Sequence, residues 1–261
     1  MGGTYVIGDI HGYYTQLLTL LRDAQLIDDD DAWAGGDATL CFIGDYFDRG
    51  PDGVSVVELI MRLQAEAQAA GGAVHALLGN HEVFLLAAYR LREQRDNFYW
   101  DWLTYGGQQR DMERLTETHV QWLQQLPVML HINNRLLIHA DALFYVEYGS
   151  TVNQVNENIS KILHGNDLRA WARLSDAFTE RFTFHKRSII GVNTRGIERA
   201  RSLLLTFSGK QIIHGHTPIA VMTGKSPQSV TEALVYAKGL CVDVDGGLYQ
   251  GGGGFVYELP R

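Results

Sequence analysis

The first third of the chain repeats one pattern: a short apolar run, a polar loop rich in glycine, and then apolar positions at helical spacing. The apolar runs cover residues 4–7, 38–43 and 73–78, and their length is typical of buried strands. Helical spacing follows the first run, as at Leu17 and Leu21. Repeated alternation of strand, loop and helix predicts parallel strands joined by helical crossovers, and therefore an α/β fold.

Further strands are predicted later in the chain. They cover residues 128–132, 135–138, 211–213, 240–244 and 255–259. Residues 150–190 are weakly patterned and are predicted to be mostly helical, and residues 191–196 are predicted to form a turn. The glycine run at 251–254 lacks the Lys-Ser/Thr pair of a phosphate-binding loop. It is interpreted as the connection of a β-hairpin.

Residues 93–126 interrupt the strand pattern. This segment is charged, rich in Trp and Tyr, and has no clear strand, so it predicts a helical insertion over the site that the loops build. Trp100, Trp102 and Tyr105 are interpreted as packing residues rather than as a ligand cage. We expect residues 1–261 to form a single domain that includes this insertion.

Composition narrows the class of protein. The chain has 261 residues, 46% hydrophobic and 20% charged, as in ordinary globular enzymes, and its formal net charge is -8. An acidic surface argues against nucleic acid as a partner, because that role needs a basic footprint. The sequence has neither a recognisable signal peptide nor an apolar stretch long enough for a membrane span, so a cytoplasmic protein is expected.

Polar residues with metal-binding atoms follow five of the predicted strands at the point where each strand ends. They are Asp9 and His11, Asp45 and Asp48, Asn80 and His81, His139, and His214 with His216. Such a concentration of buried polarity at one sheet edge needs a cation to compensate it. Oxygen and nitrogen ligands without thiolates favour Mn²⁺, with Fe or Zn²⁺ as alternatives. The number of ligands indicates two ions, which in such pairs clamp a phosphoryl group and activate a bridging water.

The ordered set of motifs resembles the calcineurin-like metallophosphoesterases, and within them the bacterial and phage forms of the phosphoprotein phosphatase family. The motifs are Gly8-Asp9-Ile10-His11-Gly12, Gly44-Asp45-Tyr46-Phe47-Asp48-Arg49-Gly50, Gly79-Asn80-His81-Glu82, His139-Ala140-Asp141 and Gly215-His216-Thr217-Pro218. The resemblance implies a four-layer α/β/β/α sandwich with two metals at the loops between two mixed sheets.

The resemblance also implies a role for each matched residue. The implied ligands of the first metal are Asp9, His11 and Asp45, and those of the second are Asp45, Asn80, His139 and His216. His81 corresponds to the general acid, Asp48 to the carboxylate that orients it, and Arg49 to one phosphate-clamping arginine. These roles agree with general chemistry, because a guanidinium binds two phosphate oxygens in fork geometry and a His–Asp pair holds a proton donor.

Two assignments leave alternatives open. Arg195 is chosen as the second clamping arginine because it lies in an Arg-Gly pair before the last helix and strand, and Arg173 is its rival. His216, directly before Thr-Pro, is chosen over His214 as the metal ligand, and His214 is interpreted as a supporting neighbour.

The implied activity is hydrolysis of phosphomonoesters by a metal-bridging hydroxide. The expected substrates are phosphoserine and phosphothreonine proteins, with phosphotyrosine or a small phosphate ester also possible. The alternative is a symmetrical diadenosine tetraphosphate hydrolase, a relative that uses the same metals. A non-catalytic metal-binding protein is disfavoured because Asp48, His81 and Arg49 are not needed merely to hold metal. The sequence does not indicate an oligomeric state.

Overall fold

Two β-sheets form the centre of the molecule in a computed structural model that describes residues 2–92, 97–185 and 194–260. The strands are β1 (Thr4–Ile7), β2 (Thr39–Phe42), β3 (Ala73–Ala76), β4 (Met129–Ile132), β5 (Arg135–Ile138), β6 (Gln211–His214), β7 (Leu234–Tyr236), β8 (Cys241–Asp243) and β9 (Tyr257–Glu258). The first sheet has the order β3-β2-β1-β9, and the second has the order β4-β5-β6-β8-β7.

Parallel strands dominate the middle of both sheets, as the alternation in sequence predicts. In the first sheet β1, β2 and β3 run parallel, and in the second β5, β6 and β8 do. The loops that follow these strands therefore start from the same edge of their sheet. This edge is where open α/β sheets place their ligands.

The hairpin interpretation of residues 251–254 is wrong. β8 already has β6 on one side and β7 on the other, so it has no free edge for the last strand. The chain instead crosses to the first sheet, where β9 pairs with the free edge of β1 in antiparallel orientation. β7 was not expected from the sequence pattern, because it is short and none of its side chains is buried.

Side chains alternate between two cores, which gives the four-layer sandwich. Val6 and Cys41 contact Ile213 and Val242 of the other sheet, while the intervening residues of each strand face helices. The helices are α1 (Tyr14–Asp23), α2 (Gly53–Ala69), α3 (Asn80–Arg90), α4 (Phe98–Thr104), α5 (Gln109–Arg114), α6 (Glu117–Gln125), α7 (Tyr145–Tyr148), α8 (Val152–His164), α9 (Leu168–Ala177), α10 (Thr194–Phe207) and α11 (Ile219–Thr223). The α/β fold with two sheets is thus confirmed.

The long crossover helix α2 shows how local sequence sets its limits. The Asp52 side chain accepts a hydrogen bond from the Ser55 backbone N–H and caps the first turn. The helix ends before Gly71, which has φ +83°, a conformation that glycine adopts without steric cost. Between these ends the apolar face is buried against the first sheet.

The described part of the insertion at 93–126 is helical, as predicted, and consists of α4, α5 and α6; residues 93–96 lie outside the described residues. The helical prediction for 150–190 is confirmed by α8 and α9, although residues 186–190 also lie outside. Of the predicted turn at 191–196, residues 191–193 are not described. Arg195 and Gly196 are already helical and lie at the start of α10, so this part of the turn prediction is wrong. No helix within the described ranges is both long and apolar enough to cross a bilayer.

Candidate metal and phosphate site

The loops after β2, β3, β5 and β6 bring four acceptor side chains into direct contact. Asn80 Oδ1 lies 2.9 Å from His139 Nε2 and 2.8 Å from His216 Nδ1, and the two histidine nitrogens are 3.2 Å apart. Asp45 Oδ1 lies 3.3 Å from His139 Nε2. The side chains come from both sheets and are buried, so the sequence-predicted ligands of the second metal do meet at one point.

The protonation pattern shows that this point fits a cation. His139 Nδ1 is 3.1 Å from the Ile43 carbonyl, which can only accept, so Nδ1 carries the proton and Nε2 has a lone pair. That lone pair faces the acceptor oxygens of Asn80 and Asp45. For metal–ligand distances of about 2.1 Å, adjacent ligands at right angles lie about 3 Å apart, which matches the spacing here.

A second group of acceptors surrounds His11. Its Nδ1 donates to the Phe47 carbonyl at 2.9 Å, so its Nε2 presents a lone pair 3.6 Å from Asp45 Oδ2. The Arg49 Nη1 atom donates to this lone pair at 2.8 Å. The ligand atoms of His11, Asp45 and His81 all lie within 4.8 Å of one another. Asp45 therefore lies between the two groups, as a bridging ligand must.

Asp9, in the loop after β1, is the remaining predicted ligand of the first metal, beside the group around His11. The His216 backbone N–H donates to both Asp9 oxygens, at 3.0 and 3.2 Å, and fixes the carboxylate. Burial raises the pKa of Asp9 well above its usual value, and the neighbouring charges of Asp245 and Asp45 raise it further. The local field thus has an excess of negative charge, which a divalent cation would balance.

The loops that carry these side chains are strained. His11, Asp45, Asp48, Arg49 and His216 all have positive φ, between 49° and 72°. Such conformations cost roughly 1–3 kcal/mol each for residues other than glycine, and they persist only where the surroundings impose them. Gly79 lies against this loop so closely that a Cβ there would be 2.3 Å from Asp45 Oδ1.

Glu82 is the group that holds the strained loop. Its carboxylate accepts backbone hydrogen bonds from Asp45, Tyr46 and Gly79 at 2.8, 2.8 and 3.0 Å. The side chain is fully buried in the first turn of α3, two residues after the candidate metal ligand Asn80. Burial raises its pKa to about 7, and the three backbone donors oppose that rise. Glu82 thereby ties the loop after β2 to the loop after β3.

His81 lies beside the candidate metal ligands and contacts Asp48 through its ring. Its Nδ1 is 2.7 Å from Asp48 Oδ2, and its buried Nε2 has no hydrogen-bond partner among the described residues. The indole N–H of Trp102 donates to the other oxygen of Asp48 at 2.9 Å. Burial raises the pKa of Asp48 to about 8, and Trp102 and Arg49 counteract this by stabilising the ionised carboxylate.

Two arginines lie near the histidines of the site. Arg49 is held by its backbone N–H to the Gly106 carbonyl at 2.8 Å, and its guanidinium lies 4.1 Å from the ring centroid of Tyr249. Burial lowers the pKa of His81 and of His216, and the charge of Arg181 lowers both further. Arg181 is therefore an additional candidate for the second phosphate clamp.

The earlier candidates for that clamp lie on helices. Arg195 is exposed in the first turn of α10, next to residues that are not described, and its assignment stays a prediction. Arg173 is exposed on α9, and its charge lowers the pKa of Tyr148, which burial and Glu147 raise. It lines a cavity with Tyr148 and Glu180.

His214 points away from the acceptor group. Its Nε2 lies 2.7 Å from the Tyr236 hydroxyl, and its Nδ1 donates to the Gly215 carbonyl. Both ring nitrogens thus have partners, whereas His216 contacts Asn80 and His139. This geometry agrees with the choice of His216 as the ligand.

The sequence did not predict a role in the site for several residues that the structure places there. Trp102 was interpreted only as a packing residue, and it both packs and donates to Asp48. Arg181 and Tyr249 carry no local motif. Asp245 had a usable signal, because the pattern Asp-Val-Asp-Gly follows an apolar run just as the other strand-end loops do.

Comparison with known proteins agrees with this geometry. Residues 4–220 match the family model described as calcineurin-like phosphoesterase. The chain is 39% identical over 88 residues to Shewanella-like protein phosphatase 1 of Plasmodium berghei, which covers 34% of this chain and 24% of that protein. It is 26% identical over 202 residues to a symmetrical bis(5'-nucleosyl)-tetraphosphatase of Janthinobacterium sp. (strain Marseille), covering 77% and 63%.

A similar fold occurs in the crystal structure of a cold-active protein-tyrosine phosphatase of a psychrophilic Shewanella species. The TM-score is 0.74 at 24% identity, and the alignment covers 100% of this chain and 76% of that chain. This likeness concerns the fold alone. The chain spans only about a quarter of the length of the first curated relatives that it matches, 24% and 28%.

Glu82→Gln should weaken metal binding although Glu82 is not itself a ligand. The amide places a donor against backbone N–H groups, and losing a buried charged acceptor costs about 1–3 kcal/mol. We expect lower affinity for Mn²⁺ in titration calorimetry and a lower urea midpoint. Glu66→Gln is the control, because Glu66 accepts one backbone N–H, from Trp33, away from the site. Wild-type Mn²⁺ affinity in Glu82→Gln would contradict the role given to Glu82.

Alanine variants of Arg181, Arg195 and Arg173 should separate the candidates for the second clamp. We expect Arg181→Ala to weaken inhibition by inorganic phosphate more than the other two, because its charge acts on His81 and His216. Arg181→Lys should restore only part of the effect, since lysine lacks the bidentate fork. If Arg195→Ala alone raises the inhibition constant, the original assignment of Arg195 is correct.

Proposed function

Because the chain belongs to the calcineurin-like phosphoesterase family, we propose that it hydrolyses phosphomonoesters, with phosphoserine and phosphothreonine proteins as the favoured substrates. The observation that carries this proposal is the buried relay from Trp102 through Asp48 to His81. An alkoxide from serine is a poor leaving group and needs a well-oriented acid, whereas a nucleoside polyphosphate leaves more easily.

Two divalent ions are part of the proposal, with Mn²⁺ as the preferred metal and Fe or Zn²⁺ as alternatives. One set of candidate ligands is Asp9, His11 and Asp45, and the other is Asp45, Asn80, His139 and His216. When bound, such ions neutralise phosphoryl charge and lower the pKa of water. The fit rests on the lone pair of His139 Nε2, which faces the acceptor oxygens of Asn80 and Asp45. His11 Nε2 also presents a lone pair, which accepts from Arg49 Nη1 and lies 3.6 Å from Asp45 Oδ2.

The chain's own residues bind the phosphoryl group and supply the proton. Arg49, together with Arg181 or Arg195, binds non-bridging phosphate oxygens and orients the ester. As a water oxygen bonds to phosphorus and the bond to the leaving oxygen breaks, His81 donates the proton on Nε2 to that oxygen, and the alcohol and phosphate are released. Asp48 accepts a hydrogen bond from His81 Nδ1 and stabilises the protonated ring. Trp102 in turn favours the ionised form of Asp48.

The second candidate function is symmetrical hydrolysis of diadenosine tetraphosphate. It is favoured by the similarity to the Janthinobacterium tetraphosphatase. The insertion also exposes aromatic side chains, Trp100 at 67% and Tyr105 at 43%, on which an adenine ring stacks well. The relay around His81 is the reason to rank this candidate second.

His81→Ala should lose rate while keeping its metal. General acid catalysis is typically worth about 10²–10⁴-fold, and the loss should shrink for aryl phosphates, whose leaving groups need little protonation. The measurement is kcat for alkyl and aryl phosphates, with metal content determined for each preparation. Equal losses for leaving groups of very different pKa would contradict the proposed proton donor.

A direct comparison of substrates should decide between the two functions. We expect a higher kcat/KM for phosphoserine and phosphothreonine peptides than for diadenosine tetraphosphate under matched Mn²⁺. The screen includes phosphotyrosine peptides and small phosphomonoesters. A clear preference for diadenosine tetraphosphate would establish the second candidate instead.

A further inference from the structure

Asp245 is a fully buried carboxylate outside every motif used above. It follows β8 and lies within hydrogen-bonding reach of the Asp9 carboxylate. The Gly247 backbone N–H donates to its Oδ1 at 2.9 Å, and its Oδ2 has no hydrogen-bond partner among the described residues. Oδ1 of Asp245 is therefore fixed, and Oδ2 is left as a buried acceptor without a partner among the described residues.

The surroundings of Asp245 are rich in negative charge. Asp243 lies two residues earlier and is also fully buried; its Oδ1 accepts the Asp245 backbone N–H, and its Oδ2 is likewise unpartnered. The charges of Asp245, Asp45 and Asp243 all act on Asp9. Arg49 is the cation whose charge acts on Asp245, and one guanidinium does not balance this many carboxylates.

The backbone is built to bring Asp245 to this place. Gly8 lies so close to the β8 end that a Cβ on it would be 2.3 Å from the Val244 carbonyl oxygen and 2.9 Å from the Asp245 Cα. Any larger residue at position 8 would push the loop of Asp9 away from Asp245. The two sheets therefore approach too closely at this point for a side chain at position 8.

We propose that Asp245 is an additional carboxylate of the first cation position, which it shares with Asp9, His11 and Asp45. This inference rests on the metal centre proposed above and adds a residue from the C-terminal part of the chain to it. Its function is to raise the affinity of the first position for a divalent ion. The ion in turn relieves the repulsion between Asp245 and Asp9.

The test is Mn²⁺ binding to the Asp245→Asn variant, measured by titration calorimetry and by metal analysis of the purified protein. We expect one of two sites to weaken by about 10- to 100-fold, in the range seen when groups around a metal are removed. The double variant Asp9→Asn/Asp245→Asn should lose less than the sum of the single losses, because both carboxylates serve one ion. Asp111→Asn is the control, since Asp111 is equally buried but accepts from Gly53.

Thermal unfolding supplies a signature that a merely structural residue would not give. Without metal, Asp245→Asn should unfold at a higher temperature than wild type, because it removes repulsion with Asp9. The rise in Tm on adding saturating Mn²⁺ should be smaller for Asp245→Asn than for wild type, because the stabilisation by a bound ligand increases with its affinity. Unchanged Mn²⁺ affinity, or a lower metal-free Tm with an unchanged gain, would overturn the inference. If wild type itself binds no metal, the proposed centre fails rather than this addition to it.

Discussion

Repulsion among buried acceptor atoms is the constraint on which the rest of this structure depends. His139 Nε2, Asn80 Oδ1 and Asp45 Oδ1 lie about as close as metal ligands do, and the hydrogen bond to Ile43 keeps the ring proton of His139 on Nδ1, away from them. Burying these acceptors together lowers the free energy of unfolding unless a cation binds between them. The two apolar cores, one between the sheets and one against the helices, provide the stability that lets the loops remain in place.

Glu82 holds the strained loop after β2 in place. Four backbone N–H groups, three in the loop after β2 and one at Gly79, donate to the single carboxylate of Glu82. The positive φ values of Asp45, Asp48 and Arg49 turn their side chains toward the site rather than along the strand direction. Structural support and chemistry therefore depend on one helix, α3, which carries Asn80 and His81 as well as Glu82.

The sequence predicts strands and strand ends well because both depend on local patterns. Short apolar runs and glycine loops indicated most strands to within two residues, and the resemblance then indicated the candidate ligands His11, Asn80 and His139. The sequence does not predict contacts between residues that are distant along the chain. Trp102 reaches Asp48 across 54 residues, and Asp245 meets Asp9 only because β8 and β1 belong to facing sheets. The hairpin interpretation failed for the same reason, because strand neighbours depend on which edges are already paired.

The insertion contacts both the proposed proton-donor pair and one proposed phosphate clamp. Through Trp102 it fixes Asp48, and through the Gly106 carbonyl it fixes the backbone of Arg49. The proposed acid and one proposed clamp therefore take their positions from the same short stretch, which also exposes Trp100 and Tyr105 to solvent. Under the proposed function, a substrate that contacts this surface contacts the segment that holds Asp48 and Arg49 in place. Selection among phosphate esters is thus expected to appear in kcat as well as in KM, since displacement of the insertion alters the orientation of His81 along with the binding of the ester.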